Sequence, residues 1–291
     1  MGKENIKVVE TAEEEFAQIL ERAKQGDNEA EFLVGVAYDT GEGVEENEKE
    51  AAKWYRKAAE QGNAEAQYRL GNCFLFGYGL RKNKKEAVKW YLQAAEQGNA
   101  DAQFNLGLAY MLGDGASKNK KEAIKWWISA AEKGSTAAQL NLGKAFYAGN
   151  GVDENKETAT IWLRKAAEQG DADAQCFLAD CYFDGYGVAE NHEEAFRWYK
   201  KAADQGMAEA QFYVGRCYLD GIGVEANQEE ALRWMRKAAE GGIPEAQFNL
   251  GNSYYLGDGV DEDREIAAFW WNRAARQGNK KAIMALEEMK S

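Results

Sequence analysis

A single proline and a single histidine in 291 residues exclude more than they suggest. With 30 glycines beside that one proline, the chain is not a loop-rich protein, and its glycines recur in one particular job. One histidine, His192, and four cysteines with no Cys-x-x-Cys spacing leave no metal-ligand pattern. No serine or cysteine stands with a base in a nucleophilic arrangement, so catalysis has no candidate residues and no cofactor is expected. No apolar run approaches the roughly 20 residues that cross a bilayer, so membrane insertion is not expected. Basic residues are outnumbered, 36 against 49, for a formal charge of -13. That balance argues against nucleic acid, whose binders carry a basic footprint. Met1–Glu10 has no apolar core of the secretory kind, so the chain as written is expected in the cytoplasm. Removal of a leader would instead place it in the periplasm or outside the cell.

What is present is self-similarity. Gly62-Asn63-Ala64-Glu65-Ala66-Gln67 returns as Gly98-Asn99-Ala100-Asp101-Ala102-Gln103, an offset of 36. The same offset carries Trp54 onto Trp90, Trp126, Trp162, Trp198, Trp234 and Trp270. Seven units follow without insertion: 28–63, 64–99, 100–135, 136–171, 172–207, 208–243 and 244–279. They are flanked by an N-terminal segment and capping helix (1–27) and a capping helix (280–291).

Each unit reads as two helices. In the second, helix A starts after the N-cap Asn63 and runs from about Ala64 to Phe76, where Gly77-Tyr78-Gly79 breaks it. Helix B starts at Asn83, with Glu86 as a capping-box-like partner, and ends at Gly98, the place of a left-handed C-terminal cap. Pro244 sits at a first-turn position, where a missing N–H does no harm. Ala87, Trp90, Tyr91, Ala94 and Ala95 form one apolar stripe on helix B; Ala66, Leu70, Cys73 and Phe74 form another on helix A. Gly71 recurs inside helix A despite costing about 1 kcal/mol relative to alanine, which predicts a ring or helix packed close against it. Thr11-Ala-Glu-Glu14 is a capping box opening the first helix.

The pattern Ala-Glu-Ala-Gln-Tyr-x-Leu-Gly, then Gly-x-Gly, then Glu-Ala-x-x-Trp-Tyr-x-x-Ala-Ala-Glu-Gln-Gly resembles the Sel-1-like repeat, a relative of the tetratricopeptide repeat. The resemblance covers almost the whole chain. It implies an all-α, right-handed α/α superhelix, a solenoid of helix-turn-helix repeats with helices A on its concave side. It also implies a scaffold or adaptor role in protein complexes, most often in bacteria. Secreted relatives carry two cysteines per repeat bridging helix A to helix B, a pattern this chain lacks, which favours a reducing compartment. Cys73, Cys181 and Cys217 hold equivalent positions about one repeat spacing (~10 Å) or more apart, too far for a disulfide. Cysteine-rich relatives have been associated with weak β-lactam binding and hydrolysis, so a hydrolase is a remote alternative.

Three positions of helix A vary between repeats while core and caps do not. They lie at i, i+3 and i+7, on one face, and in a superhelix that face lines the groove. From them come the candidate partner-binding residues Arg69, Asn72, Asn105, Leu108, Asn141, Lys144, Phe177, Asp180, Tyr213, Arg216, Asn249 and Asn252. Asparagines can donate to and accept from an extended backbone, while Phe177 and Tyr213 can anchor side chains. A solvated face free to drift would vary in the same way. The expectation is a monomeric, non-catalytic scaffold that binds a protein or extended peptide there. The alternative is an immunity-type inhibitor that blocks a toxin or enzyme with the same face or with its loops. Gly185-Tyr-Gly-Val lacks the strand and third glycine of a phosphate loop, and Asp258 to Asp263 lacks calcium-loop spacing.

Overall fold

The computed structural model describes residues 11–289; the reading of Met1–Glu10 and the end of the last helix at Lys290 lie outside them. Among the described residues there are sixteen α-helices and no strand. They fall into two compact units, one ending at Gln139 and the other beginning at Leu140.

The first unit contains α1 (Ala12–Lys24), α2 (Asn28–Thr40), α3 (Glu48–Glu60), α4 (Ala64–Asn72), α5 (Lys84–Glu96), α6 (Ala100–Leu112) and α7 (Lys120–Glu132). The helix α8 (Thr136–Ala148) carries the boundary. The second contains α9 (Lys156–Glu168), α10 (Ala172–Asp184), α11 (His192–Asp204), α12 (Ala208–Asp220), α13 (Gln228–Glu240), α14 (Pro244–Leu256), α15 (Arg264–Arg276) and α16 (Lys280–Glu288). Within each unit, consecutive helices pack in series: each helix A on the helix B of its own repeat, and each helix B on the next helix A.

Local chemistry accounts for the punctuation. Asn63 Oδ1 accepts from the Ala66 amide at 2.9 Å, and Asn83 Oδ1 from the Glu86 amide at 3.2 Å, each satisfying an N–H that the first helical turn leaves open. The expected reciprocal bond from Glu86 is replaced: its carboxylate accepts from Lys89 Nζ at 2.5 Å. The cap N–H of Asn83 donates instead to Phe74 O at 2.8 Å. The full capping box forms at Thr11 and Glu14. At the end of α5, Gly98 (φ 93°) turns left-handed, so that its N–H reaches Ala95 O and that of Asn99 reaches Ala94 O. That conformation is cheap for glycine alone.

Helix A of the second repeat departs from the expected straight run to Phe76. It is α-helical to Asn72 and closes through a π turn, Cys73–Gly77. The equivalent α6 stays α-helical to Leu112.

The interhelical contacts are alanine-rich, which lets backbones approach. Ala87, Ala94, Ala95, Ala102 and Leu106 form one buried cluster with Tyr91; a fully buried leucine such as Leu106 contributes about 2 kcal/mol. The glycine inside helix A is explained by the same closeness. A Cβ on Gly71 would meet the Tyr91 ring at 2.5 Å, and one on Gly107 the Trp127 ring at 2.3 Å. The ring of helix B lies directly on the glycine of helix A.

Six repeats share a further tie. Gln67, Gln103, Gln139, Gln175, Gln211 and Gln247 are buried, and each donates its amide to the carbonyl eight residues earlier, at the end of the preceding helix B, at 3.0–3.2 Å. The first repeat has Glu31 there, 5% exposed, accepting from Gln61 Nε2 at 2.5 Å.

The four cysteines are free and buried. Burial pushes the Cys73 and Cys176 thiols up to about 12, and those of Cys181 and Cys217 up to about 11. His192 begins α11 and is partly covered by the Phe183 ring, 4.9 Å away, with Nε2 3.4 Å from Glu190 Oε1. Its side chain is 41% exposed. No described helix is long and apolar enough to cross a membrane.

Candidate protein-binding surface

The variable face of helix A is not uniform. Where the aromatic residue of helix B crosses the small residue of helix A (Gly71, Ala179 or Gly251), its polar tip reaches the next side chain on that face. Tyr91 Oη donates to Asn72 Oδ1 at 2.6 Å, Tyr199 Oη to Asp180 Oδ1 at 2.5 Å, and Trp271 Nε1 to Asn252 Oδ1 at 3.1 Å. Asn72, Asp180 and Asn252 are therefore tied to helix B as well as facing outward. Burial raises the Asp180 carboxyl above the ordinary carboxylate range, against the Tyr199 hydrogen bond, which lowers it.

The other candidates are arranged pairwise. Arg69 is exposed, with Nε 3.2 Å from Glu65 Oε1 on its own helix. In the second unit, Lys144 Nζ lies 3.9 Å from Asp173, and Arg216 3.9 Å from Asp220. Asn141 is half-buried on α8. Phe177 meets Tyr147 edge-on at 4.8 Å. Tyr213 stacks on Tyr199 at 4.8 Å and 16° and stays 36% exposed.

Two pockets bring candidates together with residues the variability did not single out. In the first unit, Asn105 and Leu108 line a hollow of about 160 Å³ with Leu75, Tyr91 and Leu112; Lys84 and Asp114 stand at its mouth, 2.8 Å apart. In the second unit, Asn249 and Asn252 line one of about 280 Å³ with Leu219, Met235 and Leu256; Gln228 and Asp258 stand at its mouth. Each residue of the first is 144 positions, four repeats, before its counterpart in the second. The pocket is thus a property of the repeat: helix A, its helix B and the next helix A enclose it.

Five of the ten lining positions differ between the two hollows. At one of them the smaller hollow has Tyr91, bonded to Asn72, where the larger has Met235. Leu112 and Leu256 are 68% and 71% exposed. Both stand at the third position of the variable stripe, outside the twelve candidates. Tyr91 and Met235 were legible only as core residues of helix B, because a sequence stripe does not reveal that a ring passes through to the far face.

Helix pairs packed in series define an α-helical repeat protein. The chain belongs to the Sel1 repeat family: the family's profile matches residues 28–63, 64–99, 100–135, 136–171, 172–207, 208–243 and 244–279. Proteins built of this repeat typically mediate protein–protein interaction.

Among solved structures the chain is similar to a protective antigen of uropathogenic Escherichia coli that displays an SLR fold. The two are 34% identical with a TM-score of 0.88, over 92% of this chain and 57% of that one. The chain thus spans little more than half of that protein's length. A Sel1 repeat protein of Oxalobacter formigenes is 39% identical, with a TM-score of 0.68, over 78% of this chain and 91% of that one. An immunity protein of Pseudomonas aeruginosa is 19% identical over 88% of this chain and 83% of that one, with a TM-score of 0.42, a likeness too distant to bear on function. A search of curated proteins returns no match.

Proposed function

We propose that this chain is a non-catalytic scaffold that holds an extended segment of another protein against its helix A faces. The observation that carries this reading is the pocket found in both units, an apolar hollow edged by Asn105 in one and Asn249 in the other. A hollow of 160–280 Å³ accepts one large aliphatic or aromatic side chain of a ligand. An asparagine at its edge can both donate to and accept from the ligand backbone. The walls are held in place beforehand, Tyr91 by Asn72 and by Gly71 beneath it, so binding loses little scaffold entropy.

Within the twelve-residue set, Asn72, Asp180 and Asn252 act as braces for the helix B donors. Arg69, Asn105, Leu108, Asn141, Lys144, Phe177, Tyr213, Arg216 and Asn249 face the ligand, joined by Leu112 and Leu256. The test uses the chain as bait in its native host. Wild type is compared with Leu112→Ser/Leu256→Ser and with Arg69→Ala/Asn105→Ala/Phe177→Ala/Tyr213→Ala. A protein captured by wild type is expected to be lost from both variants while their thermal melts stay within a few degrees. A partner retained by both at wild-type strength places binding elsewhere on the molecule.

A further inference from the structure

The two pockets differ at the mouth as well as in volume, and the difference specifies a ligand. In the first unit, Lys84 Nζ neutralises Asp114 at 2.8 Å. In the second unit the same two positions are Gln228 and Asp258. The Gln228 amide donates to the Asp258 carboxylate and brings no charge. Among the described residues no cation stands within ion-pair distance of Asp258; the nearest arginine in sequence, Arg264, pairs with Glu262. Asp258 is exposed at the rim of the larger hollow, beside Leu256. The larger pocket therefore carries an uncompensated negative charge at its lip, and the smaller one does not.

We infer that the pocket of the second unit is a specificity site for a protein segment in which a large aliphatic residue is followed by lysine or arginine. The aliphatic side chain enters between Leu219, Met235 and Leu256, and the cation meets Asp258. The inference rests on the segment-binding reading above and names the chemistry of its ligand at one site. Apolar burial holds the segment, and the rim charge selects which one, since a solvent-exposed charge contributes more to discrimination than to affinity.

One substitution tests it and a second assigns the signal that reports it, each installing what the second repeat already carries. Gln228→Lys rebuilds the Lys84–Asp114 pair, and Met235→Tyr supplies the ring that stands at Tyr91. The probe is the blocked hexapeptide acetyl-Ser-Ala-Leu-Lys-Ala-Ser-amide, with two counterparts in which glutamate replaces the lysine or alanine replaces the leucine. The readout is the Met235 methyl resonance in methionine-labelled full-length chain, assigned by its loss in Met235→Tyr.

The Leu-Lys peptide is expected to shift that resonance saturably. The Leu-Glu peptide is expected to bind about fivefold more weakly, the scale of a rim charge turned from attraction to repulsion, and the Ala-Lys peptide not to reach saturation. In Gln228→Lys the preference for lysine disappears while leucine dependence remains. Equal affinity for Leu-Lys and Leu-Glu, or an unchanged preference in Gln228→Lys, overturns the charge assignment and leaves the scaffold reading standing. No leucine-dependent shift with any of the peptides overturns the pocket as a binding site altogether.

Discussion

Glu31→Gln is expected to stabilise the first repeat. Six buried glutamines tie the start of a helix A to the last turn of the preceding helix B by an amide-to-carbonyl bond of 3.0–3.2 Å. At the seventh such position Glu31, 5% exposed, has acceptors alone when ionised, and the equivalent carbonyl, Ala23 O, gains no side-chain donor. The substitution adds one buried hydrogen bond, a net gain of about 1 kcal/mol. It also replaces a carboxylate that is 5% exposed with a neutral amide, removing a desolvation cost of at least about 1–2 kcal/mol.

Against this, the bond from Gln61 Nε2 becomes an amide–amide bond, a loss of about 1 kcal/mol. Gln97 donates to Gln67 Oε1 at 2.8 Å, so the amide acceptor is known to fit. The balance is about 1–2 kcal/mol in favour of glutamine. Repeat proteins open locally, so the change belongs to α1 and α2 rather than to the whole chain. Hydrogen exchange of amides in α1 and α2 is therefore expected to slow about tenfold, 1.4 kcal/mol corresponding to a factor of ten. The reverse substitution, Gln67→Glu, is expected to speed exchange in α3 and α4. If α2 exchanges no more slowly in Glu31→Gln, and Gln67→Glu is neutral, the glutamine tie does not stabilise the stack.

Gly107→Ala places a methyl 2.3 Å from the Trp127 ring and is expected to cost about 2–3 kcal/mol by overpacking, after the helix-propensity gain. At Gly215 the nearest atoms, backbone Ala231 O and Met235 N, lie 3.2 Å away and the end of the Met235 side chain 3.3 Å, so Gly215→Ala is expected to cost less than Gly107→Ala; thermal melts of the pair separate the two. The thiols give a pH dependence. Held up to about 11–12 by burial, they stay protonated in the fold where an unfolded thiol, near 9, has ionised. The unfolded state then binds fewer protons, so stability is complete below about pH 9 and falls between pH 9 and 11 by up to about 1.4 kcal/mol per unit per thiol. Denaturant titrations of wild type and Cys176→Ala/Cys181→Ala check this: the variant is expected to lose less stability across that window, and parallel curves would refute it.

The repeat, the helix ends and the reason for most glycines could be read from residues alone, because caps, breaks and stripes act over one or two turns of chain. Asn63, Asn83 and Gly98 behave as their local chemistry dictates. Even there the capping box stays incomplete, since the Asn83 N–H goes to Phe74 O of the preceding helix end. The variable face was legible too, including the Asn105/Leu108 and Asn249/Asn252 pairs that line the two pockets.

What the residues alone did not disclose is which of them act together across 16 to 34 positions. Tyr91 passes over Gly71 to reach Asn72, and Met235 stands in its place in the larger hollow. Lys84 meets Asp114 thirty residues on, where Gln228 leaves Asp258 uncompensated. These contacts depend on how far a side chain reaches once helices are packed. Periodicity places a residue on a face of its own helix, and the tertiary structure alone decides what that face meets.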